Sequence, residues 1–357
     1  MENNKRKSFI AVYISLFSAL VCVIIIIILT YATFEKKDIY FESSGQAMNT
    51  LILQTVYGNK AESISSNALK NINELEKLIL LNNESSDIYK VNSSAGNQWV
   101  DINPKTVGLI SCSIEIAKKS SGVFDPSILS LNKVWNIYSD TPTVPSSKSI
   151  YYALQHVGYE NIKINYDVNR VKIEDPECGI DLSPMYNGSA CSIAIETYKH
   201  RNAPCGIITV GNSVGVFGTK PNKTDWRVAI KDPFIQSSQS ESIAVLKIKD
   251  GFVSTKAIFD QKFKSGKKIY NKVINADTGS PVETDLVSVS VWHPNGILSD
   301  LLAHTCFLLG KHKSMDLLSQ YGAEAIFIDL NKTIIATGEL KDNLIILDDS
   351  YTLSDFY

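Results

Sequence analysis

Charge is missing from most of the N-terminal segment: none of the 26 residues from Phe9 to Phe34 is acidic or basic. Cysteine is scarce as well. Cys22 lies inside that uncharged run, and Cys112, Cys178, Cys191, Cys205 and Cys306 lie beyond it, an odd set with no C-x-x-C spacing. Such a set supports neither a zinc site nor a disulfide framework and reads as buried free thiols. An excess of either charge is lacking too, since 35 Lys and Arg face 37 Asp and Glu for a net charge of −2. That balance leaves no electrostatic footprint for nucleic acid and points to no acidic partner. There is no heptad array, internal repeat or low-complexity tract, so coiled-coil and solenoid architectures drop out.

What is present at the start is one long apolar run, "FIAVYISLFSALVCVIIIIILTYATF". As a helix rising about 1.5 Å per residue it reaches roughly 39 Å, enough for a hydrocarbon core of about 30 Å. Lys5, Arg6 and Lys7 precede it, whereas Glu35, Lys36, Lys37 and Asp38 nearly cancel behind it. The positive-inside rule then puts the N-terminus in the cytoplasm and the rest of the chain outside the membrane. A cleaved signal peptide would want a shorter core and a small-x-small site, which "IIIILTYATF" supplies poorly. Lipid attachment at Cys22 fits no better, because the run continues to Leu29 and position 21 is a bulky Val. The expectation is a single-pass, uncleaved anchor in the cell membrane.

Beyond it, "MNTLILQTVYG" (48–58) alternates as a strand and residues 61–82 carry apolar side chains at helical spacing. Helices are also expected at 106–121, up to Val157, at 191–201 and at 295–322. Strand pairs are expected around Asp167–Asn169, the glycine turn of "CGIITVGNSVGVFG", Asp250–Gly251 and Leu330–Asn331, with a further strand at "WRVAIKDP". Strands and helices mix without a βαβ alternation. The prediction is an α+β class with mixed, largely antiparallel sheets and packed helices, in two closely joined subdomains.

Taken in order, several segments resemble the FAD:protein FMN transferase family of ApbE type. "QAMNTLILQTVYGN" is similar to the family's A-M-G-T strand, and "GVFDPSILSLNKVW" to its G-x-F-D-P-x-x-x-x-L-x-x-x-W. "SDIYKVN" lies between these two, and "GIDLSPMYNGSACSIAIE", "IITVGNSVGVFG", "WRVAIKDP", "YNKVINADTGSP" and "VSVSVWHPNGILSDLLAHTCFLLG" follow in the family's order. Together with the apolar run and the polar residues behind it, the resemblance divides the chain into a cytoplasmic stretch (1–8), the anchor (9–34), a linker (35–45), an ApbE-like domain (46–340) and a tail (341–357). It implies FAD as substrate, transfer of FMN to a Thr or Ser of a flavoprotein acceptor at or outside the membrane, release of AMP, and assistance by Mg²⁺.

Several matching positions depart from the family pattern. Where the family has Y-x-H-I-I-D-P-x-T-G, Lys272 replaces the His and Asn275 the Asp, while Thr278 is kept. A protonated lysine cannot take a proton from an acceptor hydroxyl, although it can still meet phosphate charge. In the family's A-D-A-L-x-T-A-L, Asp300 survives and His304 stands for Thr; the pair either shares a metal or is simply hydrogen-bonded on a helix. Oxygen ligands suit Mg²⁺, whereas an imidazole invites a softer divalent metal. In D-L-G-G-I-A-K-G, Asp181 and Gly188 remain, Ser183-Pro184 replace the glycines, Asn187 replaces Lys, and the Tyr186 carbonyl falls at the metal-facing position. Gly211 keeps one glycine of its turn, and Asn49 replaces the glycine after Met48. Met48 and Asp125 either shape the flavin pocket or pack a turn and a core. Two functions follow: a membrane-anchored FMN transferase, or a catalytically degenerate flavin-binding or accessory module of a membrane flavoprotein system.

Overall fold

In this computed structural model the described residues are Val21, 23–25, 39–235, 241–258, 262–266 and 268–355. Among them no helix is long and apolar enough to cross a membrane. The anchor read at 9–34 lies outside the described residues except for Val21 and Val23–Ile25, which are helical. The chain divides into two units, Met1–Ile39 and Tyr40–Tyr357. The region expected to form two joined subdomains is therefore one.

Its first feature is a hairpin of β1 (Tyr40–Ala47) and β2 (Thr50–Tyr57), in register from Tyr40 opposite Tyr57 to Ala47 opposite Thr50. Met48 and Asn49 form the two-residue turn, with φ of 53° and 57°. A type I′ turn requires φ > 0 at both positions; Asn tolerates this readily, whereas Met at that φ costs about 1–2 kcal/mol. The Met48 amide donates to Glu76 Oε1 at 2.5 Å, which ties the turn to the next helix. Residues 40–45, expected as linker, are thus strand. "YFESSGQA" is polar because β1 is an edge strand with one half-buried face, so its order comes from pairing with β2.

Helices α1 (Ala61–Ile79), α2 (Asp87–Ser93) and α3 (Pro104–Lys119) come next, with β3 (Val100–Asp101) between the last two. Then follow α4 (Leu129–Val134), α5 (Ser147–Leu154), β4 (Ile162–Asn165), β5 (Arg170–Ile173) and α6 (Tyr186–His200). The strands β6 (Gly206–Val210), β7 (Ser213–Phe217), β8 (Trp226–Lys231), β9 (Ser242–Ile248), β10 (Gly251–Ala257), β11 (Lys262–Ser265), β12 (Lys268–Asn271) and β13 (Leu286–His293) lead to α7 (Gly296–Tyr321). The chain closes with β14 (Glu324–Asp329), β15 (Thr333–Ala336), α8 (Leu340–Asn343), β16 (Leu344–Ile346) and β17 (Thr352–Ser354).

Nine strands form the central sheet in the order β1-β2-β6-β7-β10-β13-β14-β15-β17. Every pair is antiparallel except β15 with β17. Alternate residues divide its two faces. Phe252 and Phe217 join the larger core beneath the helices, together with Ile72 of α1, Ile195 of α6 and Phe307 of α7. Val253 and Val216 join a second core against β8 and β9, which contribute Trp226, Val228 and Leu246. Of the segment 341–357, expected as a tail, the described residues to 355 are paired: β16 joins β9 in this layer, and β17 lies beside β15 at the edge of the central sheet.

Candidate functional site

Helices α6 and α7 cross with their backbones in contact, and the crossing is what makes the site. A Cβ at Gly188 would fall 2.1 Å from the Gly296 carbonyl oxygen, and one at Gly296 would fall 2.7 Å from the Gly188 oxygen. Only glycine fits on either side. The approach brings the first turn of α6 against Asp300, whose Oδ2 accepts from the Gly188 amide at 2.8 Å. A carboxylate at a helix N-terminus satisfies amides that have no partner inside the helix. Burial nevertheless raises the Asp300 carboxyl to about 6, against the lowering influence of Lys256 and of the Gly188 and Asn187 amides.

Two turns of the central sheet close in on the same helix end. Gly211, at φ +54°, lies so near Asn187 that a Cβ there would be 2.7 Å from Asn187 Nδ2 and 3.1 Å from Thr50 Oγ1. Asn187, Gly211 and the β1–β2 hairpin that carries Met48 are therefore neighbours. The next residue, Asn212, accepts from the Thr255 amide at 2.9 Å through its carbonyl, which ties this turn to β10.

His304 sits one helical turn beyond Asp300. It makes no hydrogen bond to Asp300, and its sealed Nδ1 has no partner. The hydrogen-bonded pair expected as one alternative is not formed. Phe124 meets the imidazole edge-on, with centroids 5.8 Å apart. Burial, followed by the charge of Lys256, holds the imidazole well below its usual pKa and therefore neutral.

The segment around Phe124 connects the remaining predicted residues. Val123 accepts from the Ala276 amide at 3.3 Å, and Pro126 from the Asp181 amide at 2.8 Å. Asp125 spends three of its four acceptor sites on its own loops. Its Oδ1 accepts from the Ser127 amide (2.8 Å) and hydroxyl (2.6 Å), and its Oδ2 from the Tyr159 amide (2.9 Å). Asp181 is engaged in the same way, accepting from the Ser183 amide at 2.8 Å, from Asn132 Nδ2 at 2.7 Å and from the Tyr138 hydroxyl. Both carboxylates organise loops. Ser183–Met185 is a 3-10 turn that leads into α6.

Lys272 follows β12 and is half-buried. Asn275 accepts through Oδ1 from the amides of Asp277 (2.9 Å) and Thr278 (3.2 Å), while Gly279 donates to its carbonyl at 2.9 Å. Its side chain therefore shapes the turn. Thr278 accepts from the Ser280 amide at 3.3 Å and is exposed. Trp135 Nε1 donates to the Gly279 carbonyl at 2.8 Å, anchoring this turn in a small core with Phe263 and Ile274.

The donor set does not fit Mg²⁺. Tyr186 is the first residue of α6, so its carbonyl runs down the helix, away from the end where Asp300 sits. One carboxylate oxygen is bound to an amide, and the remaining ligand is an imidazole, which suits softer metals. No group of three or more His, Cys, Asp or Glu residues is placed to hold a metal among the described residues. A residue not expected from the motifs, Lys256, lies half-buried on β10 with its charge felt at both Asp300 and His304. Its signal in the sequence was the alternation of "GFVSTKA", which gives it the same face as Phe252.

The profile of the ApbE family matches residues 48–327. The chain is similar to the FAD:protein FMN transferase of Treponema pallidum, 25% identical over 324 residues that cover 86% of this chain and 89% of the relative. It is likewise similar to the FAD:protein FMN transferase of Klebsiella pneumoniae, 23% identical over 316 residues covering 88% and 97%. Among solved structures, the ApbE protein of Thermotoga maritima matches with a TM-score of 0.76 and 24% identity, over 85% of this chain and 99% of that one. The flavin transferase ApbE of Vibrio cholerae matches with a TM-score of 0.75 and 18% identity, over 86% and 99%. These two are likenesses of fold.

Proposed function

Because the chain belongs to the ApbE family, we propose that it is a FAD:protein FMN transferase. The observation that carries this reading is the convergence of Asn187, Gly188, Gly211 and Asp300 at the N-terminus of α6. Three motifs distant in sequence meet there, and a helix N-terminus directs N–H groups and a partial positive charge toward an anion. In the reaction a Thr or Ser hydroxyl of a flavoprotein acceptor attacks the flavin-side phosphorus of FAD. A P–O bond forms, the phosphoanhydride P–O bond breaks, and AMP leaves with the bridging oxygen.

The hydroxyl proton needs an acceptor. Lys272 stands in the place of the family's His, and a lysine ammonium offers three donors and no acceptor. The imidazole of His304 is neutral and its Nδ1 unpartnered but sealed, so it serves as proton acceptor only if the acceptor hydroxyl enters this buried face. Lys272 then serves as a phosphate contact. The assay is direct: the full chain, FAD and a domain bearing the acceptor hydroxyl should release AMP and yield a covalently flavinylated acceptor.

The second reading, an accessory flavin-binding module, is favoured by the 3-10 turn through Ser183-Pro184 and by Asp181 beside it, which three donors already occupy. It predicts FAD binding without AMP release. Anchoring by the apolar run 9–34, with the domain outside the membrane and the acceptor at or near it, belongs to the same proposal. Resistance to alkaline carbonate extraction, with protease access from the outer face only, would support it; release into the soluble fraction would defeat it.

A further inference from the structure

Lys256 holds a position determined by the register of β10. Gly215 on the neighbouring β7 has its Cα against the Phe252 ring and Ile195 of α6, so this face of the sheet looks at the helices. Ser254 follows on the same face and shares a hydrogen bond of 2.8 Å with Ser213. Lys256 is the next residue on it, opposite Val289 of β13, whose side chain lies in the core beneath the helices.

Helix α7 keeps step with this strand. It turns back after β13 and so runs in the direction of β10, with the Ser299 hydroxyl reaching the Val291 carbonyl at 2.8 Å and the Phe252 carbonyl at 3.4 Å. Phe252 also lies against Gly296. Four helical residues advance about 6 Å and two strand residues about 6.6 Å. Starting from Gly296 beside Phe252, Asp300 comes level with Ser254 and His304 with Lys256. The lysine thus stands on the sheet side of the two residues that the family resemblance would give to a metal.

We propose that the ammonium of Lys256 takes the place of the divalent cation beside Asp300 and His304, so that the site meets phosphate charge with a lysine and works without Mg²⁺. The inference rests on the transferase reading only for the identity of the anion, the pyrophosphate of FAD. A cation beside Asp300 and His304 would share their surroundings with Lys256, whose charge is felt at both, and like charges in a half-buried site repel strongly.

The test uses the full chain in detergent with Mg²⁺ or Zn²⁺ alone, followed by FAD. The wild-type melting temperature should be the same in millimolar Mg²⁺ and in EDTA. Lys256→Gln, which removes the charge, leaves a carboxylate and an imidazole that suit a softer cation, so it should gain a Zn²⁺-dependent rise of roughly 5 °C at a hundredfold excess over Kd. Lys256→Arg should behave like the wild type. A metal response in the wild type or in Lys256→Arg overturns the inference, as does a Lys256→Gln protein that folds and ignores both metals. In EDTA, flavin fluorescence should report FAD affinity about tenfold weaker for Lys256→Gln than for the wild type; equal affinities overturn the phosphate role. A wild type that binds no FAD would defeat the transferase reading while the metal experiment still decides on Lys256.

Discussion

The amide of Gly188 donates to Oδ2 of Asp300 at 2.8 Å, joining the first turn of one helix to the second turn of another that begins 108 residues later in the chain. The contact exists because neither Gly188 nor Gly296 has a side chain to hold the backbones apart. Gly188→Ala should therefore cost about 3 kcal/mol or more through overpacking, since its Cβ would lie 2.1 Å from the Gly296 oxygen and 2.6 Å from Asp300 Cβ. Urea unfolding measures this, and an unchanged midpoint would disprove the close crossing.

Asp300 and His304 should give pH dependences of opposite sign. Burial raises the Asp300 carboxyl from 3.8 to about 6, so its stabilising influence is full below about pH 4 and is lost as pH rises through 6. The full effect is on the order of 3 kcal/mol. His304 is lowered by burial and Lys256, so its contribution is present above the unfolded pKa of about 6.5 and is lost as pH falls. Asp300→Asn should leave stability rising with pH toward neutrality, and His304→Gln should leave it falling between about pH 4 and 6. Melting temperatures across that range would show the two slopes, and identical profiles for both variants would refute the assignment.

If His304 accepts the hydroxyl proton, His304→Gln should lower AMP release by about 10²- to 10⁴-fold while FAD affinity changes little. Single-turnover AMP release together with flavin fluorescence quenching separates these quantities. An unaltered rate would return the role to another group.

The bonding of Asp125 and Asn275 predicts structural roles for both. Asp125→Ala strands three donors in a buried loop and should cost about 3 kcal/mol. Asn275→Ala loses two turn hydrogen bonds and should cost about 1 kcal/mol, whereas Asn275→Asp keeps the acceptor. In each folded variant FAD affinity should stay within about twofold of the wild type, well short of the tenfold step worth 1.4 kcal/mol. Titration of flavin fluorescence checks this, and a larger loss would place the residue in the pocket.

Much of the fold was legible because its cause is local. Residues 61–82 announce α1 by helical spacing, and "CGIITVGNSVGVFG" announces β6 and β7 by alternation around Gly211. β1 and β17 were not legible. Each is polar and becomes a strand through a partner across the sheet, Thr50–Tyr57 for β1 and Thr333–Ala336 for β17. The site divides along the same line. Asn187, Gly211 and Asp300 could be found from the motifs that carry them. That Asp125, Asp181 and Asn275 have their hydrogen bonds taken up by loops depends on neighbours that no local pattern contains.

The sequence by itself determined the α+β mixture, the antiparallel sheet, the order of the ApbE motifs and the loss of the family's His at Lys272. These follow from residue type and period, which act over a few neighbours. Only the tertiary structure decided which of the surviving residues keep free chemistry. It set Gly188 against Gly296, turned Asp300 onto a helix end, left His304 Nδ1 without a partner and brought Lys256 onto the same helix-facing surface. Charge, burial and hydrogen-bond saturation are properties of what surrounds a side chain, and here the surroundings come from strands and helices far apart along the chain.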